Sequence, residues 1–280
     1  MVDCISYRIE TSPESFDLLL AVLSELGADA FQEHEDALEA FLEGEDLLQK
    51  QTAIESYLIE HKLVFYKIEH QRKDWNAEWE SNFTPYTIET KLIVRAPFHP
   101  GDPNYTEELI IFPKMAFGTG HHETTSMILS YIVDQDFSNK KVLDFGCGTG
   151  ILGILTAKHH ADQVVFIDND PLCIDNTQEN LRLNFVEKGQ VLLGSADLIP
   201  KMEFDLIIAN ITRNILLDTL PILSQHLKQN GQIILSGFLH QDLDDMNHQI
   251  HAVGLNYKSH MQKGEWICII AEKPMPHQKI

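Results

Sequence analysis

A chain of 280 residues, 44% of them hydrophobic, can bury a full core and has length for one large domain or two unequal ones. Its formal charge of −21 disfavours direct contact with nucleic acid, whose phosphates would meet net repulsion, and suits a basic partner. No run of about 18 apolar residues is present to span a bilayer, and the start, MVDCISYRIE, lacks the basic segment and apolar core of a signal peptide. Cys4, Cys147, Cys173 and Cys268 fall at neither zinc nor disulfide spacing, so a reducing cytoplasm is expected. The histidine pairs His121-His122 and His159-His160 are adjacent and lack the i, i+4 geometry of a helical metal site, so no metal is expected.

Residues 3–10 alternate apolar and polar, the period of a half-buried strand. Ser12-Pro13-Glu14 then reads as a helix start, with serine as cap and Phe16, Leu19, Leu20 and Leu23 on one face; Gly27 ends it. Two short strands follow, Ala30–His34 and Ala37–Leu42, then a helix carrying Leu47, Leu48, Ile54 and Leu58, then a strand over Leu63–Glu69. The order β-α-β-β-α-β is the ferredoxin-like arrangement. This stretch has no glycine-rich loop, nucleophile–base pair or metal cluster, and residues 1–70 are read as a recognition module. It holds 16 of the 42 acidic residues but only 4 of the 21 lysines and arginines. Those acids either keep the surface soluble, as is common, or present it to a basic partner.

Residues 71–85 form a connector in which Trp75, Trp79 and Phe83 stand four apart on one face of a short helix, closed by Pro85. These aromatics dock the connector onto a domain or make a substrate platform, the first being the plainer reading. Tyr86 to Arg95 alternates as one strand, Pro97 to Asn104 is a loop, and Ile110-Ile111-Phe112 leads into Phe117-Gly118-Thr119-Gly120-His121-His122-Glu123-Thr124-Thr125. Glycines ahead of a threonine-rich helix start leave hydroxyls and free N–H groups aimed above the loop, which suits it to close over a ligand.

The stretch Lys140–Asp170 organises the rest. An apolar run, Val142-Leu143, enters Asp144-Phe145-Gly146-Cys147-Gly148-Thr149-Gly150; a helical segment and a second apolar run, Val164–Ile167, lead to Asp168, 22 residues past Gly146. Strand, glycine turn, helix and strand let a ligand approach bare backbone, and the strand-end acid can accept hydrogen bonds from ribose hydroxyls. A nucleoside-bearing cofactor is implied. The G-x-G-x-G spacing departs from the G-x-G-x-x-G of dinucleotide dehydrogenases and resembles the first motif of S-adenosylmethionine-dependent methyltransferases.

Further strands are expected at Val191–Leu193, Phe204–Ala209 and Gly231–Ser236, with helices after Pro171 and around Leu243, Met246 and Ile250. In an open parallel sheet ligands lie beyond the carboxyl ends of the strands, so Gly146, Asp168, Asp197 and Asn210 converge. Asn210 is the candidate nearest the reacting atom, where its amide can accept a hydrogen bond from an attacking amine; its plainer role is a strand-end turn. The tail, Asn256–His260 and Trp266–Ala271 around Lys263-Gly264, reads as an antiparallel hairpin, which a methyltransferase sheet has and the usual dinucleotide fold lacks.

Taken together, AFGTGHHETT, VLDFGCGTGILGI, Asp168 and LIIANI resemble the family of methyltransferases that modify large-subunit ribosomal protein eleven. The resemblance covers nearly the whole chain. It implies a class I (Rossmann-like) α/β methyltransferase domain with a seven-stranded sheet and terminal antiparallel hairpin over 86–280, a connector over 71–85 and a small α+β ferredoxin-like substrate-recognition domain over 1–70. It implies S-adenosylmethionine as cofactor, held by Thr125, Gly146, Asp168 on the ribose and Asn210 beside the methionine end, with Asp144 and Gly148 as further cofactor candidates. It also implies methyl transfer to lysine side-chain and N-terminal amines of that ribosomal protein, bound through the acidic front of a monomeric enzyme. The family's several target amines require more than one substrate orientation, which a mobile connector would allow. Asn210-Ile211 is not the Asn-Pro-Pro-Tyr of many amide and base methylases, which points away from nucleobase and glutamine substrates. A methyltransferase for another basic protein or small amine, a non-catalytic cofactor-binding protein and a dehydrogenase remain the alternatives.

Overall fold

A computed structural model describes residues 4–44, 46–70, 84–113 and 118–275. The chain divides into two compact units, Met1–Phe83 and Thr84–Ile280. In the first, β1 (Cys4–Glu10), α1 (Phe16–Glu25), β2 (Ala30–Glu33), β3 (Ala37–Glu43), α2 (Leu47–Glu60) and β4 (Phe65–His70) follow in the expected element order. The sheet runs β2-β3-β1-β4, antiparallel throughout. Alternation puts Ile5, Tyr7, Ile9, Leu38, Ala40 and Leu42 on one face, where they bury against Phe16, Leu19 and Leu23 of α1 and Ile54 and Leu58 of α2. The Tyr7 hydroxyl donates to Glu55 Oε1 at 2.5 Å, and burial with this carboxylate partner holds the phenol neutral.

Two boundaries differ by two residues or more from the sequence reading. Ser12 makes no side-chain cap; Pro13–Ser15 form a 3-10 turn and the α-helix begins at Phe16. The last strand begins at Phe65, because the end of α2 claims Leu63: with Lys62 left-handed at φ 55°, the Leu63 N–H returns to the Leu58 carbonyl and the Lys62 N–H to that of Ile59. The expected aromatic face of Trp75, Trp79 and Phe83 lies outside the described residues.

The second unit opens with a three-stranded sheet, β5 (Tyr86–Ile88), β6 (Leu92–Arg95) and β7 (Glu107–Ile110). The single strand expected over Tyr86–Arg95 is a hairpin instead. Glu89 turns left-handed at φ 47° and the Lys91 N–H bonds back to the Ile88 carbonyl, folding one alternating run onto itself.

The rest of the unit is α3 (Glu123–Ile132), β8 (Lys141–Phe145), α4 (Ile151–Lys158), β9 (Gln163–Asp168), α5 (Pro171–Leu183), β10 (Gly189–Leu193), β11 (Phe204–Asn210), α6 (Arg213–His226), β12 (Leu227–Leu239), α7 (Leu243–Ala252), β13 (Asn256–Lys263) and β14 (Trp266–Glu272). They build a seven-stranded sheet in the order β10-β9-β8-β11-β12-β14-β13. The first five strands are parallel and the terminal hairpin is antiparallel. Successive residues feed opposite cores: Val142, Leu206 and Ile208 pack on one face, Leu143, Ile207 and Ala209 on the other. Burial on both faces is why these strands are unbroken apolar runs. The chain leaves β8 for β9 and β10 on one side and returns to β11 on the other, so the crevice at the switch of strand order lies between the ends of β8 and β11.

Two polar devices tie the small sheet to this frame. Asn176, Asn180 and Asn184, one helical turn apart along α5 and its C-cap, bond the backbone of Ile110 and Phe112 as a strand would. Asn180 also donates to the Thr149 carbonyl of the glycine turn at 2.8 Å. Removing it orphans two buried backbone groups, so Asn180→Ala is expected to cost about 2–4 kcal/mol, read as a lower denaturation midpoint.

The second device is His159, whose Nδ1 faces the Gln135 carbonyl at 2.8 Å and whose Nε2 faces Glu107 Oε2 at 2.6 Å. Both partners accept, so the ring satisfies them when doubly protonated, and the Glu107 hydrogen bond raises the His159 pKa while burial opposes it. This stabilisation is complete below the unfolded histidine pKa, about 6.5, and is lost as pH rises through the higher folded value. Melting wild type and His159→Gln from pH 6 to pH 9 is expected to show the wild-type advantage shrinking toward the alkaline end.

Candidate active site

A cavity of about 410 Å³ opens at the carboxyl ends of the strands. Its walls come from the turn after β8 (Phe145, Gly146, Gly148), the end of β9 (Ile167, Asp168, Asn169), Cys173 of α5, Gly194-Ser195 after β10, Asn210-Ile211-Thr212 after β11, Gly237 of β12, His122 and Thr124 at the start of α3, and Trp266 of the hairpin.

The glycine turn is laced to the end of β9. The N–H groups of Gly146 and Cys147 both donate to the Ile167 carbonyl, at 2.8 and 3.1 Å, and the Gly148 N–H donates to Asp168 Oδ2 at 2.9 Å. Asp168 Oδ1 accepts the Asp170 N–H at 3.0 Å, and Asp170 caps α5 through the Leu172 N–H. The carboxylate is therefore fixed while it still faces the cavity with spare lone pairs. Gly146 has φ 72°, and a Cβ there would stand 2.1 Å from Ile211 Cγ2, so conformation and space both require glycine.

Asp144, expected among the cofactor-binding residues, is 1% exposed and outside the cavity lining. Its Oδ2 accepts the Gly153 N–H at 2.8 Å, which joins the end of β8 to α4 beneath the turn. Burial pushes its carboxyl up to about 7; the Gly153 hydrogen bond pulls the other way and the charge of Asp168 adds a further push. Thr125 is likewise fully buried and meets the cavity only through Asn210, whose Nδ2 donates to Thr125 Oγ1 at 3.3 Å. Asp197 is not among the lining residues; Ser195 is. Gly146, Gly148, Asp168 and Asn210 do come together around one space.

Asn210 Oδ1 is buried with no hydrogen-bond partner among the described residues, although the residue borders the cavity. An orphaned acceptor of this kind is costly unless a ligand supplies the donor. Among the titratable side chains in the lining, Cys173 is a poor base or nucleophile, because burial and the nearby Asp168 and Asp170 push its thiol up to about 11. His122 Nδ1, as the cap of α3, accepts the Thr124 N–H and lies 2.8 Å from Thr124 Oγ1. Asp168, the third titratable side chain of the lining, is held by the Gly148 and Asp170 N–H groups.

Sequence reasoning missed His122, Trp266 and Gly237. The His122 and Trp266 rings meet edge to face at 4.7 Å, a contact between residues far apart in the chain. Gly237 carried a readable signal, a lone glycine inside an apolar strand, which marks a bulge or a close backbone approach. The strand expected to stop at Ser236 runs through that bulge to Leu239.

Five parallel strands in this order, an antiparallel hairpin at one edge, a glycine turn laced to a strand-end acid and an asparagine ending the fourth strand define a class I methyltransferase fold and site. The profile of the family described as Ribosomal protein L11 methyltransferase (PrmA) matches residues 3–274, and the chain belongs to that family. A ribosomal protein L11 methyltransferase of Porphyromonas gingivalis is 43% identical over 264 residues, covering 92% of this chain and 91% of that one. One from Phocaeicola vulgatus is 37% identical, covering 90% and 92%. The crystal structure of a ribosomal protein L11 methylase from Lactobacillus delbrueckii subsp. bulgaricus superposes with TM-score 0.64 at 27% identity, over 69% of this chain and all of that one.

The buried Asp144 carboxyl gives a test of this geometry. Its raised pKa favours the folded state at low pH, where the group is neutral, and that advantage is lost as pH rises through about 7. Asp144→Asn keeps the Gly153 hydrogen bond without the charge. Its melting temperature is expected to exceed that of wild type by several degrees at pH 8, with the gap narrowing as pH falls from about 7 and closing only near the unfolded aspartate pKa of about 3.9.

Proposed function

We propose that this protein transfers methyl groups from S-adenosylmethionine to lysine side-chain and N-terminal amines of ribosomal protein L11. The reading rests on family membership and on one observation above all: the buried, partnerless Oδ1 of Asn210, a residue that lines the same cavity as the glycine turn. Several features fit the cofactor. Gly146 and Gly148 allow close approach of a ligand, Asp168 presents spare acceptors for ribose hydroxyls, and Ser195 supplies a polar group for a base edge. When bound, S-adenosylmethionine supplies an electrophilic methyl on a positively charged sulfur.

Asn210 accepts one N–H of the incoming amine and so directs its lone pair, while Thr125 holds the Asn210 amide from behind. An amine of ordinary pKa, about 10.4, must first lose a proton, at a cost of about 4.6 kcal/mol at pH 7. The protein lowers that cost by desolvation: the apolar walls of Phe145, Ile167, Ile211, Ile215 and Trp266 disfavour the ammonium form. Residues 1–70 serve as a ferredoxin-like recognition module whose acidic surface receives the basic substrate, residues 71–85 as the connector and 86–280 as the catalytic domain of a cytoplasmic monomer. No helix among the described residues is long and apolar enough to cross a membrane.

The test is to incubate the purified chain with S-adenosylmethionine and unmodified ribosomal protein L11 and to weigh the latter intact. Mass is expected to rise in methyl-sized steps. Asp168→Ala should weaken cofactor affinity by calorimetry, and Asn210→Ala should lower kcat about a hundredfold while affinity for the cofactor is largely kept. Cofactor binding without a mass increase would redirect the search to other basic proteins.

A further inference from the structure

Ile211, the residue after Asn210, sits where β8 and β11 end, beside the bulge in β12. Its N–H donates to the Ser236 carbonyl of β12 at 3.1 Å. A Cβ on Gly237 would stand 2.2 Å from the Ile211 carbonyl oxygen and 2.7 Å from its carbonyl carbon, so the Ile211 backbone occupies the notch that this glycine leaves. Gly237, at φ 99°, is the extra residue of a bulge: β14 sets Cys268 against Ser236 and Ile267 against Phe238, with Gly237 between. On its other side Ile211 places Cγ2 in the space that a Gly146 side chain would take, 2.1 Å from that ideal Cβ. Gly254, also left-handed at φ 78°, has nothing within 4 Å of its ideal Cβ, so such crowding does not come with the conformation.

Resting on the reading of Asn210 given above, we propose that Ile211 is a positioning residue: a wedge that sets the acceptor asparagine against the cofactor turn. Its backbone is clasped by β12 and its branched methyl by the turn after β8, so Asn210, one peptide away, keeps its place relative to both. The β-branch matters because it puts a methyl directly on Cβ and stiffens χ1. Valine keeps that methyl. Leucine is as large as isoleucine but carries its branch one carbon further out.

The experiment measures kcat on ribosomal protein L11 and the calorimetric Kd for S-adenosylhomocysteine in Ile211→Val, Ile211→Leu and Asn210→Ala, with melting curves to confirm folding. Ile211→Val is expected to lower kcat less than about threefold and Ile211→Leu about thirtyfold, while both bind the ligand within about threefold of wild type. A second arm uses binding alone: Gly146→Ala should lose affinity by more than about tenfold, and adding Ile211→Ala should recover a large part of that loss. Equal losses from the valine and leucine variants, a fall in affinity that matches the fall in kcat, or no recovery in the double variant would overturn the wedge. Full kcat in Asn210→Ala would instead overturn the reading of Asn210 on which the wedge depends. An inactive Asn210→Ala beside a fully active Ile211→Leu would sink the wedge alone.

Discussion

The hydrogen bonds that lace the glycine turn to the end of β9 are what the rest of the site depends on. The Ile167 carbonyl collects two N–H groups and Asp168 a third, so the turn after β8 and the acid after β9 move as one body. Everything else is placed against that body. Asp144 supports it from below through the Gly153 N–H, Thr177 Oγ1 donates to the Gly148 carbonyl, and Thr149 Oγ1 reaches the Gly118 carbonyl at 2.5 Å. A turn so heavily satisfied leaves little of its own backbone wanting a partner. That is the condition under which a ligand finds preorganised geometry rather than a loop it must order itself.

Several polar side chains are buried in this frame and paired. Asn176, Asn180 and Asn184 stand in for a missing strand along the segment 110–112, and Ser236 Oγ donates to the Ile267 carbonyl inside the sheet. Against that background the lone unpaired Asn210 Oδ1 among the lining side chains is informative, because burying an acceptor without a donor costs as much as a hydrogen bond earns. The same contrast separates Asp144 from Asp168. One carboxyl is enclosed and pushed toward neutrality, whereas the other lies at the strand end and lines the cavity.

The alternating strands of residues 4–70, the apolar runs of β8, β9 and β11, the glycine turn and the closing hairpin were legible in the sequence because each is dictated locally, by a periodicity or by a turn that only glycine tolerates. Asp168 and Asn210 followed from one further rule, that the ends of parallel strands converge. Local pattern failed where one alternating run folded back on itself at Glu89 and where the end of α2 claimed Leu63, since a backbone turn there leaves the alternation intact. Tertiary structure alone decided which candidate meets the cavity: Thr124 and not Thr125, Ser195 and not Asp197, with Asp144 held beneath. Neighbouring residues in sequence point to opposite sides of a strand end or helix start, and which side faces the cavity depends on packing by Trp266, Gly237 and Ile211, brought in from elsewhere in the chain. The sequence determined the fold and the glycine turn because those rest on local chemistry; the identity of the groups that line the cavity rests on distances between strands, which exist only once the sheet is assembled.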